Sequence, residues 1–548
     1  MKPGLPVRAT LALLALGAGC TQPHGPPSPT GAPYFREVAE AVGVRYRWSP
    51  PQRSPLNLRE TIGNGAAFLD FNADGNLDIL LVGAPCGLFQ GDGKGHFTAV
   101  ALPELKGEFL GCAVGDYDSD GYPDLYLSAF QGGALLHNDS GKGFREVTVS
   151  AGLKPQPWGT AAAWVETVPG SGRLDLMVAN YVDFDPAHGA RPLCDFRDAQ
   201  GKTLLAACGP REYEPLTAAF FRNRGAGRFE DASLTSLAQT LTRGRGLGVA
   251  AADFQANGQP GIAFANDEAP GDLLVPAGGR FTNVADAVGV AYDNDGKLHA
   301  GMGLDWGDYD NDGWLDLAVA TFRYEPNSLY HNEQGKHFVD QGYNTGIGAA
   351  TQPFVAFGCH FLDYDNDGWL DLAFTNGHVQ DNVEALDAKT HYRQPSQLFH
   401  NQQGRFVEVG AQGGPGFQTP LVGRGLAVGD YDNDGALDLL LVDSAGKPLL
   451  LHNEVPSRGH WLGLALQGRK SNRSGYGAVV TLELEGGTKR VRHCHADGSY
   501  LSSSDPRVHF GLGSASKITG LTVRWPSGKK QSIEVPALDR YLAVTEEP

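Results

Sequence analysis

The sequence predicts an all-β protein: a seven-bladed β-propeller followed by a small β-sandwich-like domain. Three observations carry this. An acidic loop recurs, with "DYDNDGWLDL" standing letter for letter at 308–317 and 363–372 and "DYDNDGALDL" starting at Asp430. The loops and their eroded copies begin at 70, 116, 167, 253, 308, 363 and 430, and a step of about 45 to 55 residues suits one four-stranded blade. Between them lie apolar, β-branched and aromatic runs broken by glycine turns, which is strand and hairpin chemistry. At 548 residues with 74 glycines, a repeat array also accounts for a chain too long for one ordinary core.

In chain order, residues 1–19 read as a signal peptide, with Lys2 and Arg8 ahead of the apolar run "LALLALGAG", which is too short for a permanent membrane helix. The small residues before Cys20 resemble a bacterial lipobox, although Leu16 sits one place farther upstream than that pattern prefers. Cys20 is therefore the candidate lipidation site, with ordinary secretion as the alternative. Residues 20–32 are a Pro/Gly-rich tether that cannot pack a core. The expected location is exported: an outer-membrane or cell-surface lipoprotein, otherwise secreted. A net charge of −18 disfavours nucleic acid and anionic membrane surfaces and leaves cations as natural ligands. The membrane is then touched only through the lipid anchor.

Residues 33–455 are the predicted propeller. Each unit reads as an inner apolar strand, the acidic loop, a strand such as "LDLAVA", a strand ending in "HN" or its variant, a glycine turn, and a strand beginning with Phe. The last unit stops at "LLLHNE" (449–454), whereas "YFREVAEAVGV" at 34–44 is similar to "GFREVTVSAGL" at 143–153. The N-terminal strand is expected to complete that unit and leave no open sheet edge.

The loop pattern D-x-[DN]-x-D-G-x-x-D is met in full by Asp70/Asn72/Asp74/Asp78, Asp116/Asp118/Asp120/Asp124, Asp308/Asp310/Asp312/Asp316, Asp363/Asp365/Asp367/Asp371 and Asp430/Asp432/Asp434/Asp438. Carboxylates at alternate positions of a curling loop converge, the glycine at position 6 makes the turn, position 7 offers its carbonyl, and position 9 closes a shell suited to the oxygen ligands of Ca²⁺. Position 7 is Asn76, Tyr122, Trp314, Trp369 and Ala436, which share only a carbonyl. Position 12, where an EF-hand needs Glu, is Leu81, Leu127, Val319, Phe374 and Leu441. These are calcium loops in hairpins, and up to five Ca²⁺ are expected; a solvated acidic turn is opposed by the mutual repulsion of the carboxylates. Two eroded copies, one keeping Gly172 and Asp175 and one keeping Asp253, Gln255, Asn257 and Gly258, are expected to bind none.

The repeats resemble the FG-GAP/VCBS repeats of integrin α-subunit propellers over residues 34–454. In the region 456–548, "SNRSGYGAVVTLEL", "GSYLSSSDPRVHFGLG" and "VRWPSGKKQSIEV" are similar to the ASPIC/UnbV domain, with Tyr476 and Cys494 out of pattern. The combination resembles the cartilage acidic protein family, which implies calcium binding and an extracytoplasmic location but no general reaction. Alternating apolar positions in "WLGLALQG" and "GAVVTLELEGG" make this a small antiparallel β-domain.

Export places Cys86, Cys112, Cys194, Cys208, Cys359 and Cys494 in an oxidising compartment. Cys194 and Cys208, in one loop-rich insertion, are the disulfide candidates, whereas Cys112 and Cys359 read as buried thiols. Strand alternation puts the long insertions, near 180–215 and 376–396, on the face opposite the acidic loops. His378, Tyr392, Arg393, Asp381, Arg211 and Arg323 are the ligand-binding candidates there, a solvated rim being the bland reading. The loop "YLSSSDPR" at 500–507 is a rival surface. The expected function is a monomeric, non-catalytic surface binding, adhesion or scaffold module for an extracellular protein or glycan. The alternative is an extracellular polysaccharide lyase or hydrolase using the insertion face; no nucleophile elbow, phosphate loop or zinc histidine motif is present, and the sequence leaves the enzyme question open.

Overall fold

The computed structural model describes residues 32–548 except 50, 52, 199, 238–243 and 457. The expected signal peptide and Cys20, with the tether up to residue 31, lie outside the described residues. No helix among the described residues is long and apolar enough to cross a membrane.

Each repeat folds into four antiparallel strands, because glycine turns bring alternating apolar runs together at hairpin length. The first unit is Ala66–Leu69, Asp78–Leu81, Gly87–Gly91 and Phe97–Val100. The units that begin at Gly246, Leu304 and Ala356 repeat this order. Those that begin at Glu108 and Gln156 merge into one sheet, where Asp124–Gly132 runs long enough for Phe130 to pair with Trp158. In the last unit Gly423–Gly429, Asp438–Asp443 and Leu449–Asn453 take their fourth strand from the N-terminus, with Phe35 opposite Asn453 and Glu37 opposite Leu451. Phe35 is fully buried there, edge-on to Phe417.

The innermost strands touch in sequence, and Gly423–Gly429 packs back against Ala66–Leu69, so the array closes on itself. Five residues ahead of each loop these strands carry Gly65, Gly111, Gly248, Gly303, Gly358 and Gly425, with Ala162 in the third unit. A Cβ on Gly65 would stand 1.7 Å from the carbonyl oxygen of Leu501, and one on Gly303 2.2 Å from that of Phe357. Only glycine lets the backbones converge this closely on the axis.

Residues from 460 onward form two sheets. One runs Val508–Gly513, His460–Gln467, Tyr541–Thr545; the other runs Lys489–His493, Val479–Leu484, Ile518–Arg524, Lys530–Ser532. Leu462, Leu464, Val480, Leu482, Phe510 and Trp525 fill the space between them. The expectation of a purely antiparallel domain is corrected at one pair: His460–Gln467 and Tyr541–Thr545 run parallel, the long intervening chain supplying the crossover that a parallel pair needs.

The rival binding loop is also corrected. The segment 499–505 is not a solvated loop but fills the axis of the ring. Ser499 bridges Leu304 and Ser503 bridges Ala67, Cys112 N donates to Leu501 O (3.1 Å), and Asp505 N donates to Val428 O (2.9 Å). Tyr500 and Leu501 are fully buried. The serine hydroxyls that read as solvent-facing accept amides of the inner strands: Ser502 Oγ from Ala66, Ser503 Oγ from Val114 and Ser504 Oγ from Val428.

Cys194 and Cys208 are joined by a disulfide, while Cys86, Cys112, Cys359 and Cys494 are free thiols.

Candidate functional site

Each acidic loop is drawn round its first carboxylate. Asp70 accepts the amides of Asp74 (3.0 Å) and Gly75 (2.8 Å), and Asp74 accepts that of Asn76 (2.9 Å). Asp116, Asp308, Asp363 and Asp430 hold Gly121, Gly313, Gly368 and Gly435 in the same way. The turn needs two left-handed residues. Position 4 is Ala73, Ser119, Asn311, Asn366 or Asn433, and position 6 is always glycine, with φ between +85° and +99°, a conformation that other L-residues adopt at a cost.

Position 9 is a bracket as well as a potential ligand. One oxygen of Asp78, Asp124, Asp316, Asp371 and Asp438 accepts the amide of position 2. The other accepts an amide at the end of the third strand, from Gly91, Asn138, Asn332, Asn401 or Asn453. Those asparagine side chains then reach the preceding unit. Asn138 donates to Phe71 O, Asn332 to Phe254 O, Asn401 to Tyr309 O and Asn453 to Tyr364 O, all within 2.8 Å. The "HN" of the repeat thus staples neighbouring units together.

The residue types present fit a divalent cation. Burial pushes Asp116 up to about 6, Asp78, Asp316, Asp371 and Asp430 to about 7, and Asp438 to about 8, the mark of carboxylates gathered out of water. Asp308 and Asp363 are almost completely buried, and the Oδ1 of each has no hydrogen-bond partner. Such an acceptor is costly unless a cation or donor completes it. The sequence reading missed the histidine of "HN". His137, His331, His400 and His452 lie beside the position 3 and 9 carboxylates, with Nδ1 of His331 3.3 Å from Asp310 and 3.2 Å from Asp316, and each joins a group of side chains able to hold a metal ion. The unit whose position 3 is Asn72 carries Gln90 at that place.

Asp434, one of the expected calcium ligands, also has a cationic partner: Arg458 Nη1 donates to Oδ1 (3.1 Å) and Oδ2 (3.0 Å), while Oδ1 accepts the Ala436 amide (2.8 Å) as its counterparts do in the other loops. Arg458 belongs to the junction where the chain leaves the ring, so the same connection that docks the C-terminal domain brings a guanidinium to this loop. The loop spacing alone could not show that partner.

The C-terminal domain docks on this same face. Arg490 Nε donates to Gly368 O (3.0 Å), Arg507 to Asp430 O (2.7 Å), and Tyr541 Oη to Asp430 Oδ2 (2.8 Å). It also holds the eroded loops. Asp253 keeps the loop turn, accepting the amides of Asn257 and Gly258, and Arg524 lies 2.7 Å from its Oδ2. The eroded loop's first carboxylate is thus paired with a cation of the C-terminal domain. At the other eroded loop Glu166 accepts the Gly172 amide and both the backbone and side-chain N–H of Asn472.

The insertion face differs from expectation. The structure gathers His378, Arg323, Tyr392, Asp381 and Arg393 around the buried Arg424, while Arg211 lies apart on Glu268. Nearly all are engaged within the chain. Asp381 accepts the Leu56 amide, Arg323 binds Asp387, and Arg393 binds Asp443 at 2.9 Å. His378 is buried at 2 % exposure, edge-on to Phe322, and burial, with Arg323 and Arg424 nearby, pulls its imidazole down to about 3. Arg424 is satisfied by the carbonyls of Thr61, Gly377, Gly423 and His378. These groups read as solvent-facing because their partners lie far away in sequence. His378→Ala is accordingly expected to destabilise the fold by about 1–3 kcal/mol, and the exposed His391→Ala to leave it unchanged; comparative thermal melts check this.

A recess lies on the other side, between the first two acidic loops and the C-terminal domain. This groove of about 480 Å³ is lined by Asp70, Asp116, Arg473, Tyr476, Arg507 and Tyr541. Arg507 is committed to Asp505, whereas the Nε of Arg473 has no hydrogen-bond partner.

Comparison with known proteins agrees with this architecture. Residues 468–548 match the ASPIC and UnbV family, and 70–127 and 308–374 match the FG-GAP-like repeat. Cartilage acidic protein 1 of Xenopus tropicalis is 26% identical over 523 residues, spanning 85% of this chain and 70% of that protein. The Homo sapiens protein of that name is 25% identical over 453 residues, and this chain spans 62% of it. Among solved structures, an Agrocybe aegerita lectin described as recognising non-reducing terminal N-acetylglucosamine aligns over 74% of this chain and 92% of its own, at 14% identity and a TM-score of 0.41.

Proposed function

Because the chain carries FG-GAP-like repeats and ends in an ASPIC and UnbV domain, we propose that it acts outside the cytoplasm as a calcium-held binding or scaffold module. The closed array is read as a seven-bladed propeller whose intact loops take up to five Ca²⁺, the last of them in competition with Arg458 for Asp434. The observation that carries this reading is the pair of buried, partnerless oxygens on Asp308 and Asp363 in loops whose other carboxylates converge. Bound calcium supplies charge neutralisation there, and the chain's own residues supply the turn, the bracket at position 9 and the staple to the next unit. Extracellular modules of this kind need only weak sites, with Kd on the order of 10⁻⁴ to 10⁻³ M. Export as a lipoprotein through Cys20 remains part of the proposal.

The partner, an extracellular protein or glycan, is assigned to the groove rather than to the insertion face, whose candidate residues are largely bonded to one another. Arg473 is the recognition cation and Tyr541 the apolar wall, a few convergent polar groups in a mainly apolar recess being the usual form of a binding site. The test screens calcium-loaded protein on glycan and extracellular-protein arrays. Capture that falls at least about tenfold in Arg473→Ala, a loss of about 1.4 kcal/mol, supports the groove. Capture unchanged in that variant moves the site elsewhere, and product release from a polysaccharide supports the lyase or hydrolase alternative.

A further inference from the structure

The repeat supplies an internal control that exposes an unusual cluster. Three residues ahead of the loop, the inner strands carry Ala67, Ala113, Ala250 and Ala427, with Trp164 in the third unit. The neighbouring fifth and sixth units carry Asp305 and His360 instead. These two side chains touch, with His360 Nδ1 3.1 Å from Asp305 Oδ2. They face the C-terminal domain where it contributes His493, His495 and Asp497. His493 and His495 stack at 3.9 Å and 8°, and His495 stacks on His360 at 6.1 Å and 19°.

The three histidines and Asp305 line one cavity of about 90 Å³ between ring and domain. Asp305 Oδ1, His360 Nε2 and His493 Nε2 are buried without a hydrogen-bond partner, on residues 0 %, 7 % and 8 % exposed. His360 Nδ1 lies 2.6 Å from the Phe361 carbonyl, to which it donates, and His495 Nδ1 donates to Asp497. That fixes the tautomer with the Nε2 lone pair free, the outer-shell arrangement of metal-binding histidines. Arg492 and Arg507 also line the cavity; Arg507 is paired with Asp505, and the carboxylates of Asp308 and Asp363 act on Arg492 from the loops.

We infer that this cavity is a site for one divalent first-row transition cation of the Zn²⁺ class, held by the imidazoles of His360, His493 and His495 with the Asp305 carboxylate beside them. Imidazole with one carboxylate selects such ions over Ca²⁺, whose ligands are all oxygen. The site shares no ligand with the acidic loops, although Asp363 borders the cavity, and it pins the C-terminal domain to two adjacent units.

The test uses the full chain in saturating Ca²⁺, which occupies the loops, and titrates Co²⁺ as the probe. One equivalent is expected to bind with a visible absorption band and to be displaced by Zn²⁺. His360→Ala installs the residue that four other units already use, so its fold is expected to persist in a calcium-loaded melt. It and His493→Ala are each expected to weaken Co²⁺ binding by on the order of a hundredfold. Absence of a band in the parent protein overturns the inference, as does a band of unchanged strength and affinity in both variants, which would place the ion in the loops.

Discussion

Removal of calcium is expected to lower the melting temperature by on the order of ten degrees, and restored Ca²⁺, but not Mg²⁺, to recover it. An ion that binds the ordered loop and not the unfolded chain adds about 2.7 kcal/mol per site at a hundredfold excess over Kd. The loops are also where neighbouring units are joined. Asp371 brackets both Tyr364 N and Asn401 N, and Asn401 carries the connection to Tyr309 O. Losing the ion therefore loosens a contact between units as well as a turn. Ca²⁺ accepts an irregular shell of six to eight oxygens, whereas Mg²⁺ demands a tight octahedron and keeps its water. Differential scanning calorimetry with parallel elemental analysis makes the measurement. An unchanged melt in protein shown to be free of metal would defeat the calcium reading.

How far the sequence carried depended on whether the informative contacts were local. The acidic loops were legible because spacing alone forces alternate carboxylates to converge, and because position 7 varies from Ala436 to Trp314 while the glycine before it does not. Pairing of the N-terminal strand was legible because Phe35 repeats a residue pattern found elsewhere in the chain. The histidine beside the carboxylates could have been found from the same repeats, since His137, His331, His400 and His452 recur one place ahead of the structural asparagine. By contrast, nothing local in "YLSSSDPR" distinguishes a solvated hydroxyl loop from one whose hydroxyls meet inner-strand amides. Arg458 on Asp434 and Arg524 on Asp253 are likewise partners brought together by domain docking, and His378 owes its burial to Phe322 and Arg424. Long-range partners carry no signature in a single sequence.

The segment that fills the axis leads to the other large expected effect. Gly65→Ala is expected to cost several kcal/mol and to loosen the C-terminal domain from the ring, whereas Gly132→Ala is expected to be nearly neutral. The added Cβ at Gly65 meets the Leu501 carbonyl oxygen at 1.7 Å, its carbonyl carbon at 2.5 Å and its side chain at 2.9 Å. None of these can yield cheaply, because Leu501 O already accepts the Cys112 amide and Gly65 N donates to Leu110 O. At Gly132 the nearest atoms are 3.6 and 3.8 Å away, ordinary van der Waals contact. Overpacking alone typically costs about 1–3 kcal/mol. Here the displaced segment also uncovers inner-strand amides such as Cys112 N and Phe68 N, and each buried donor left unpaired adds about 1–3 kcal/mol. Urea unfolding compares the two variants, and limited proteolysis reports whether the C-terminal domain is released. Equal stability of Gly65→Ala and Gly132→Ala would mean that the axial segment is not seated where the inner-strand hydrogen bonds place it.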